Sequence, residues 1–477
     1  MKNNNKTLIE NFIFNALYRI LVMFIPLITT PYITRVLGAE EIGRYTVAFS
    51  IASYFCLFIL LGVENYGNRT IAAVRDDKSE LKNAFWEIYT LQLTLAVFVA
   101  IMYLLYVKFL ASDAILAVIM VIYIFSEMID INWAFYGLEK FKLITIRNAF
   151  IKFASVICIF AFVKSEEDVI YYALINVIAA FISQIILWCT FNKYIGFKKI
   201  QIKKIKRHLL PNLKLFIPVI AVSVYTVMDK IMLGYLSVNA EVGFYEAAEK
   251  IINIPNILVI SLGTIMLPRI SNLVVAGENE QSRRYLDISI QFAMFMVTSI
   301  GFGIIGVSEE FVPLFYGKGY DICILLFAIL IPSRFFMAFA NVIRTQYLIP
   351  FKMDTAYIIS VIGGAITNLA LNILLIPRLG CVGAAYGTLA AEVMVCLLQC
   401  YAVRQQLPIK KLLKKSVPFV ITGFVMCMTL IIIPVIGNAV LSLFLKILIG
   451  IVIYIGIIVP WIVLPYVKRR KQNENMD

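Results

Sequence analysis

Residues 440–466 read VLSLFLKILIGIVIYIGIIVPWIVLPY, an apolar stretch with a single charged residue, Lys446. About 20 consecutive apolar residues are enough to cross the hydrocarbon core of a bilayer as a helix. A helix is the expected form, because lipid offers no hydrogen-bond partner to an unpaired backbone group. The stretch therefore predicts a transmembrane helix.

Stretches of the same kind recur along the whole chain. Of its 477 residues, 61% are hydrophobic and 15% are charged, and the mean hydropathy is +0.88. A soluble domain has about 45–50% apolar and about 25% charged residues. The sequence therefore predicts an all-α polytopic membrane protein. We expect about fourteen spans, near residues 12–37, 44–65, 84–107, 112–136, 143–164, 168–192, 212–236, 243–268, 286–308, 320–346, 354–377, 382–403, 416–437 and 440–466.

The net charge of +14 follows the predicted topology. Lysine and arginine concentrate in alternate loops, as the positive-inside rule requires, and one such loop is predicted to hold Lys140, Lys142 and Arg147. The opposite loops hold only Arg35, Arg44, Lys108, Lys164, Lys318 and Arg378. Both termini are thus predicted to be cytoplasmic in a bacterial inner membrane, and the basic charge does not indicate nucleic-acid binding.

A short motif occurs twice, and this predicts a duplication. Glu41-Ile42-Gly43-Arg44-Tyr45 recurs as Glu241-Val242-Gly243-Phe244-Tyr245, and Phe141-Lys142 recurs as Phe351-Lys352. Six spans per copy is an even number, so the copies are parallel and enclose a central cavity. The predicted divisions are an N-terminal lobe, 1–192; a polybasic amphipathic linker, 193–211; a C-terminal lobe, 212–403; and two further helices with a basic tail, 404–477. The linker either lies on the inner leaflet or is a solvated basic segment.

Enzyme signatures are weak in this chain. The run from Gly301 to Gly306 matches GxGxxG but lies inside an apolar span with no strand before it. No Walker A motif is present, and the only histidine, His208, lies in the predicted basic loop. The eight cysteines are interpreted as small hydrophobic residues. We therefore predict a protein that is not an enzyme, with no catalytic residues, metal site or cofactor.

Charges inside the spans are the candidate functional residues. A charged side chain at the bilayer centre costs at least about 2.5–3.5 kcal/mol, so such groups usually face a wet interior. A cationic cavity would suit an anionic ligand, since charge-assisted bonds to phosphate are strong. The residues predicted to line it are Arg19, Lys152, Arg334, Lys230 and Lys250.

Acidic residues inside the spans have two interpretations. Glu127 and Asp130 share a helix face and could bind H⁺ or Na⁺, and Asp229 and Glu249 are further candidates. Helix-packing contacts explain the same residues equally well. Likewise, Glu246 and Lys250 have the i,i+4 spacing of a structural ion pair.

Three further motifs stand out in the chain: Asn15-Ala16-Leu17-Tyr18-Arg19, Pro31-Tyr32-Ile33-Thr34-Arg35-Val36-Leu37-Gly38 and Asp229-Lys230-Ile231-Met232-Leu233-Gly234. They resemble motifs of Wzx-type polysaccharide flippases, in the multidrug/oligosaccharidyl-lipid/polysaccharide superfamily. The resemblance implies that the protein moves undecaprenyl-pyrophosphate-linked oligosaccharides to the outer leaflet by alternating access, for O-antigen, capsule or exopolysaccharide synthesis. By the same resemblance, Arg19 matches a cavity arginine of lipid II flippases. Glu64 departs from the small or apolar residue that relatives often have there.

Other functions predict other features. A drug/cation antiporter of the same superfamily should have an acidic, aromatic-lined cavity. A membrane polysaccharide polymerase or acyltransferase needs a large outer loop or clustered catalytic residues, and neither is visible. A scaffold for glycosyltransferases is an added role that the sequence leaves open.

The predicted partners are the lipid-linked oligosaccharide, membrane lipids, and a polymerase and glycosyltransferases, with the chain itself a monomer.

Overall fold

The computed structural model describes residues 24–197 and 206–474, and within these ranges all regular structure is helical. Helix α1 is described over 24–36. The other helices are α2 Gly38–Leu60, α3 Val63–Val74, α4 Lys78–Phe109, α5 Ala114–Met128, α6 Asn132–Gly137, α7 Phe141–Phe162, α8 Val169–Tyr194, α9 Lys206–Thr226, α10 Met228–Leu236, α11 Asn239–Val275, α12 Asn279–Gly306, α13 Ser308–Phe315, α14 Ile322–Ile343, α15 Asp354–Leu379, α16 Cys381–Val403, α17 Ile409–Ile432 and α18 Ala439–Glu474. A 3₁₀ turn, Glu166–Asp168, precedes α8, and a π-helical turn, Arg344–Leu348, extends α14.

Thirteen helical segments of the described ranges are long and apolar enough to cross a membrane. They correspond to the thirteen spans predicted from 44–65 onward, so the polytopic all-α fold is confirmed. The first predicted span, 12–37, is helical over 24–36, and its remainder lies outside the described residues. Arg19 lies in that undescribed part.

Side-chain caps begin two of the long helices. The carboxylate of Asp77 accepts hydrogen bonds from the backbone N–H groups of Ser79 and Glu80, at 2.7 and 3.0 Å, at the start of α4. Asp113 accepts one from Leu116, at 3.1 Å, at the start of α5. Each carboxylate accepts hydrogen bonds from backbone N–H groups of the first helical turn, which have no carbonyl partner within the helix.

Three of the predicted spans are interrupted helices. The breaks separate α2 from α3 at Leu61 and Gly62, α5 from α6 at 129–131, and α9 from α10 at Val227. Leu61 has a φ of 47°, a left-handed conformation that is rare for a residue other than glycine. Broken helices inside membranes are tolerated where other groups form hydrogen bonds to the backbone N–H and C=O groups that the break leaves unpaired.

The break between α5 and α6 shows how this is done. The side-chain amide of Gln92 donates to the carbonyl oxygens of Asp130 and Glu127, at 2.8 and 3.2 Å. The indole N–H of Trp188 donates to the carbonyl of Ile129 at 2.8 Å, and that of Trp133 donates to Gln92 Oε1 at 3.0 Å. The break is therefore a fixed feature, held by side chains of α4 and α8.

The chain forms two compact units, an N-terminal unit of residues 1–246 and a C-terminal unit of residues 247–477. The division falls within α11, after the linker at which we predicted the two duplicated lobes to meet. This occurs because α9, α10 and the first turns of α11 pack against α2, α3 and α4. The duplicated six-helix lobes themselves stay a prediction.

Small residues allow close helix packing in the C-terminal unit. A β-carbon on Gly383 would lie 2.6 Å from the backbone of Leu375, and one on Gly387 would lie 2.1 Å from Oδ1 of Asn372. This is the close approach that the GxxxG spacing of the two glycines predicts. Helices α15 and α16 are consequently in intimate contact.

Candidate functional site

The two copies of the duplicated motif contact each other within the N-terminal unit. A β-carbon on Gly43 would lie 1.8 Å from the carbonyl oxygen of Asn239, and one on Gly243 would lie 2.0 Å from the carbonyl oxygen of Ala39. The contact is thus reciprocal, since each glycine faces the backbone just before the other. Only glycine permits this approach of α2 and α11.

A carboxylate holds the same contact from the side. Glu40, in the first turn of α2, accepts hydrogen bonds from the backbone N–H of Ala240 at 2.9 Å and from the side-chain amide of Asn239 at 3.0 Å. It therefore caps the N-terminus of α11, where a negative charge is favourable. Sequence reasoning found the motif repeat but not this direct contact.

A cavity of about 340 Å³ lies next to this contact. Its lining includes Arg44, whose guanidinium Nε donates to Asp113 at 2.9 Å and whose Nη1 bonds to Glu41 at 2.8 Å. We predicted Arg44 as a loop residue, and this is wrong, because α2 already begins at Gly38. The arginine is held in place by its two carboxylates.

The break between α5 and α6 gathers the acidic residues of the N-terminal unit. Glu127 interacts electrostatically with both Asp130 and Glu64. Oδ1 of Asp130 accepts the backbone N–H of Asn132 at 2.6 Å. Three carboxylates, from α3, α5 and the α5–α6 break, thus interact with one another. Glu127 and Asp130 do interact, but the predicted shared helix face is wrong, because α5 ends at Met128 and Asp130 lies in the break.

One arginine faces this acidic cluster of Glu64, Glu127 and Asp130. Arg147 is buried in α7, donates to Oδ1 of Asn132 at 2.8 Å and to the carbonyl of Ser183 at 3.1 Å, and interacts electrostatically with Asp130. We predicted Arg147 as a basic loop residue, and this is wrong. Its position near the start of a span gave no signal that distinguishes a buried arginine from one in a loop.

The only histidine of the sequence is also part of a buried network. His208 lies in the first turn of α9, with Nε2 2.9 Å from Oε2 of Glu87 and Nδ1 2.7 Å from the hydroxyl of Tyr66. A carboxylate accepts, so Nε2 donates to Glu87; in the neutral imidazole Nδ1 then accepts from the Tyr66 hydroxyl. Arg207 also binds Glu87. The predicted loop position of His208 is therefore wrong, because α9 begins at Lys206.

The predicted cations of the N-terminal unit have different environments. Lys152 is exposed in the middle of α7. Lys230 forms an ion pair with Glu246 at 2.6 Å, and both side chains are 17% exposed. Asp229 is buried and accepts a hydrogen bond from the hydroxyl of Tyr245 at 3.2 Å. Charges predicted to line a cavity are thus partly engaged with one another.

In the C-terminal unit, Glu249 and Lys250 are half-buried, and Arg334 is only 7% exposed. The Nε of Arg334 has no hydrogen-bond partner among the described residues. Its electrostatic partner is Glu392, which is buried in α16 and also interacts with Arg344. An arginine that is buried without a bound acceptor has unused capacity for an anion.

A second buried charge pair of the C-terminal unit was not predicted. Lys446 of α18 lies 2.5 Å from Glu310 of α13, with side chains 3% and 4% exposed. Neither residue was on our list of candidates. The pair joins the C-terminal helix α18 to α13.

Sequence comparison identifies relatives over nearly the whole chain. A putative O-antigen transporter of Escherichia coli (strain K12) is 25% identical over 416 residues, which cover 85% of this chain and 98% of the relative. A putative O-antigen transporter of Shigella dysenteriae is 26% identical over 393 residues, with 80% and 96% covered.

Solved structures share the fold. The lipid II flippase MurJ in an inward closed conformation superposes with a TM-score of 0.78 at 18% identity, over 96% of this chain and all of that one. An inward-facing multidrug resistance MATE family transporter of the MOP superfamily gives a TM-score of 0.59 at 14% identity, over 84% of this chain and 99% of that one.

The family model described as "Polysaccharide biosynthesis protein" matches residues 8–274, which is more than half of the chain. The match includes the reciprocal glycine contact, the acidic cluster and the His208 network. The resemblance predicted from the motifs is thereby confirmed, and the chain belongs to the polysaccharide biosynthesis protein family.

Proposed function

We propose that this protein flips undecaprenyl-pyrophosphate-linked oligosaccharide repeat units from the cytoplasmic to the outer leaflet of the bacterial inner membrane. The observation that carries the proposal is the buried guanidinium of Arg334, which lies inside a span and has no acceptor for its Nε among the described residues. A pyrophosphate supplies such an acceptor. The O-antigen transporters to which the chain is similar supply the substrate class.

The cost of crossing lipid explains why such a protein is needed. Each sugar hydroxyl that loses its hydrogen bonds in hydrocarbon costs about 4–8 kcal/mol. A repeat unit with several hydroxyls and a pyrophosphate therefore does not cross unaided. A wet cationic interior replaces those lost contacts, while the lipid tail stays in the bilayer. The work is transport without chemical conversion of the substrate.

Alternating access then requires that contacts on one side of the membrane separate. The reciprocal contact of Gly43 and Gly243 lies on the predicted outer side of the membrane. This position supports the proposal that the contact closes the outer end of the transport path, which we call the outer closure. Orientation with both termini in the cytoplasm is part of the same proposal.

Gly43→Ala and Gly243→Ala test that closure. Each added methyl group would meet a backbone carbonyl within about 2 Å, so the closed arrangement should be lost and glycan export should fall by about tenfold or more. Gly456→Ala is the matched control, because no atom lies within 4 Å of its added carbon. Normal export in both variants would contradict the assignment.

Energy for the cycle is proposed to enter through the acidic cluster. Among the described residues, three carboxylates and one facing arginine leave an excess of negative charge, which a bound H⁺ or Na⁺ would compensate. Glu127 and Asp130 are the proposed coupling residues, with Asp229 and Glu249 as further candidates.

Complementation tests the transport function. In a host whose own O-antigen flippase is deleted, the wild-type chain should restore surface glycan, while Arg19→Ala and Arg334→Ala should each lower it by about tenfold at unchanged protein amount. Arg404→Ala is the control, since this arginine is exposed beyond the end of α16. Normal glycan in both variants would remove the cationic-interior mechanism.

The acidic cluster favours a second candidate, a cation-coupled drug antiporter. It predicts that the expressed chain lowers the accumulation of cationic dyes in cells, and that Asp130→Asn abolishes this. Dye accumulation equal to that of the empty vector would exclude this alternative.

A further inference from the structure

The polar interior of the C-terminal unit contains two arginines and one carboxylate that interact. Arg334 belongs to α14, Arg344 begins the π-helical turn, and Glu392 lies on the neighbouring α16. Glu392 is 5% exposed and interacts electrostatically with both arginines. Glu392 makes no direct ion pair or hydrogen bond with either guanidinium among the described residues, so it acts on both through its charge, within the packed contact of α14 and α16.

Neither arginine is saturated by this carboxylate. The Nε of Arg334 and the Nε of Arg344 are both buried without a hydrogen-bond partner among the described residues. Arg344 also lies over the ring of Tyr357, 5.6 Å from its centroid, and reaches its hydroxyl only at 3.5 Å. The group thus has one net positive charge and unused donors in a low-dielectric interior, where electrostatic interactions are strong.

We propose that Glu392 is the internal counter-ion of this site, and that it competes with the phosphate or pyrophosphate of the ligand for Arg334 and Arg344. The inference rests on the proposed function, which supplies the anion. Without ligand, the charge of the carboxylate stabilises the buried guanidinium of Arg334 and the half-buried one of Arg344. With ligand, phosphate oxygens compensate the arginines in its place, so Glu392 sets the affinity and lets the ligand leave again. It is a positioning residue and undergoes no covalent change.

The competition gives Glu392 variants a distinctive signature. Glu392→Gln removes the charge but keeps the size, so both arginines should bind an anion about tenfold more tightly. The ligand should then leave more slowly, and glycan export should fall although binding improves. Glu392→Asp keeps the charge and should restore wild-type affinity. A merely structural role would weaken binding and lower protein stability.

Calorimetric titration of the purified full-length chain in nanodiscs tests this. The probes are inorganic pyrophosphate, which presents the anion alone, and farnesyl pyrophosphate, which presents it on a lipid. Tighter binding of either probe to Glu392→Gln than to wild type supports the proposal. The probe that binds more tightly shows whether the site prefers a free pyrophosphate or one carried on a lipid. Unchanged or weaker binding of both overturns it.

Two variants keep the test specific. Glu310→Gln removes another buried carboxylate of the same unit, the partner of Lys446, and should leave pyrophosphate affinity unchanged; equal tightening in this variant would show a general charge effect and overturn the proposal. Arg334→Ala should lower affinity in the wild-type and Glu392→Gln backgrounds. If glycan export is restored but Glu392→Gln binds pyrophosphate like wild type, only this inference fails. If Glu392→Gln binds more tightly but wild type never restores export, the proposed function fails.

Discussion

Among the described residues, the charge clusters of the two units differ in composition, since carboxylates predominate in one and arginines in the other. The acidic cluster of the N-terminal unit has three carboxylates facing Arg147, whose guanidinium donates to Asn132 and to the carbonyl of Ser183. The C-terminal unit has two arginines sharing Glu392, with guanidinium groups that lack partners at Nε among the described residues. One interior suits a small cation and the other an anion. Burial of an arginine therefore does not by itself indicate an anion-binding site. The indication is a guanidinium N–H group without a hydrogen-bond acceptor.

The largest expected difference is between the two buried arginines. Arg147→Ala leaves Asp130 buried without its facing cation, and breaking a buried pair costs about 3–5 kcal/mol. The amount of folded protein should therefore fall. Arg334→Ala removes a guanidinium with an unbonded Nε, so the folded amount should stay while glycan export is lost. Quantitative immunoblotting and fluorescence-detected size exclusion measure both. Equal losses of folded protein would break the comparison.

A smaller, selective effect is expected at the acidic cluster. Glu127→Gln and Asp130→Asn remove the charges proposed to bind the coupling cation, so export should fall by about tenfold. Pyrophosphate affinity should not change, because Arg334 and Arg344 are untouched. Glu280→Gln, an exposed acid at the start of α12, serves as the control. Altered pyrophosphate affinity in either cluster variant would show that the two sites are not separate.

The smallest effect is expected at a solvent-exposed ion pair, which serves as a reference for the buried charges. Arg75 and Glu139 form an ion pair at 2.5 Å, with side chains 37% and 47% exposed, and the hydrogen bond that Arg75 donates to Glu139 raises the pKa of Arg75. Arg75→Ala should change the free energy of unfolding by less than about 1 kcal/mol, because solvent screens the attraction between exposed charges. Thermal unfolding of the purified protein measures this. A loss as large as that of Arg147→Ala would remove the distinction between buried and exposed charges.

The spans were predictable because lipid imposes a single rule on length and hydropathy. Thirteen helical segments follow the predicted positions within a few residues at most ends, and Glu127 and Asp130 lie together because only two residues separate them in the chain. Family membership was predictable from short motifs near the N-terminus and at 229–234.

Long-range pairing was not predictable from a single sequence. Glu87 and His208 are more than a hundred positions apart, and Lys446 and Glu310 are similarly distant, so no local pattern relates them. The helix break at 129–131 was missed because hydropathy does not register side chains such as Gln92 and Trp188 that satisfy released carbonyls. The reciprocal glycine contact needed both copies of the motif to be placed in space.

The single histidine has a practical consequence for following the transport cycle. The imidazole of His208 lies between Glu87 on α4 and Tyr66 on α3, while its own helix follows the basic linker. Isotopic labelling of histidine would therefore give one magnetic-resonance signal from the entire protein. The chemical shift of that signal would report whether the start of α9 rests on its two partners, with no mutation or attached dye.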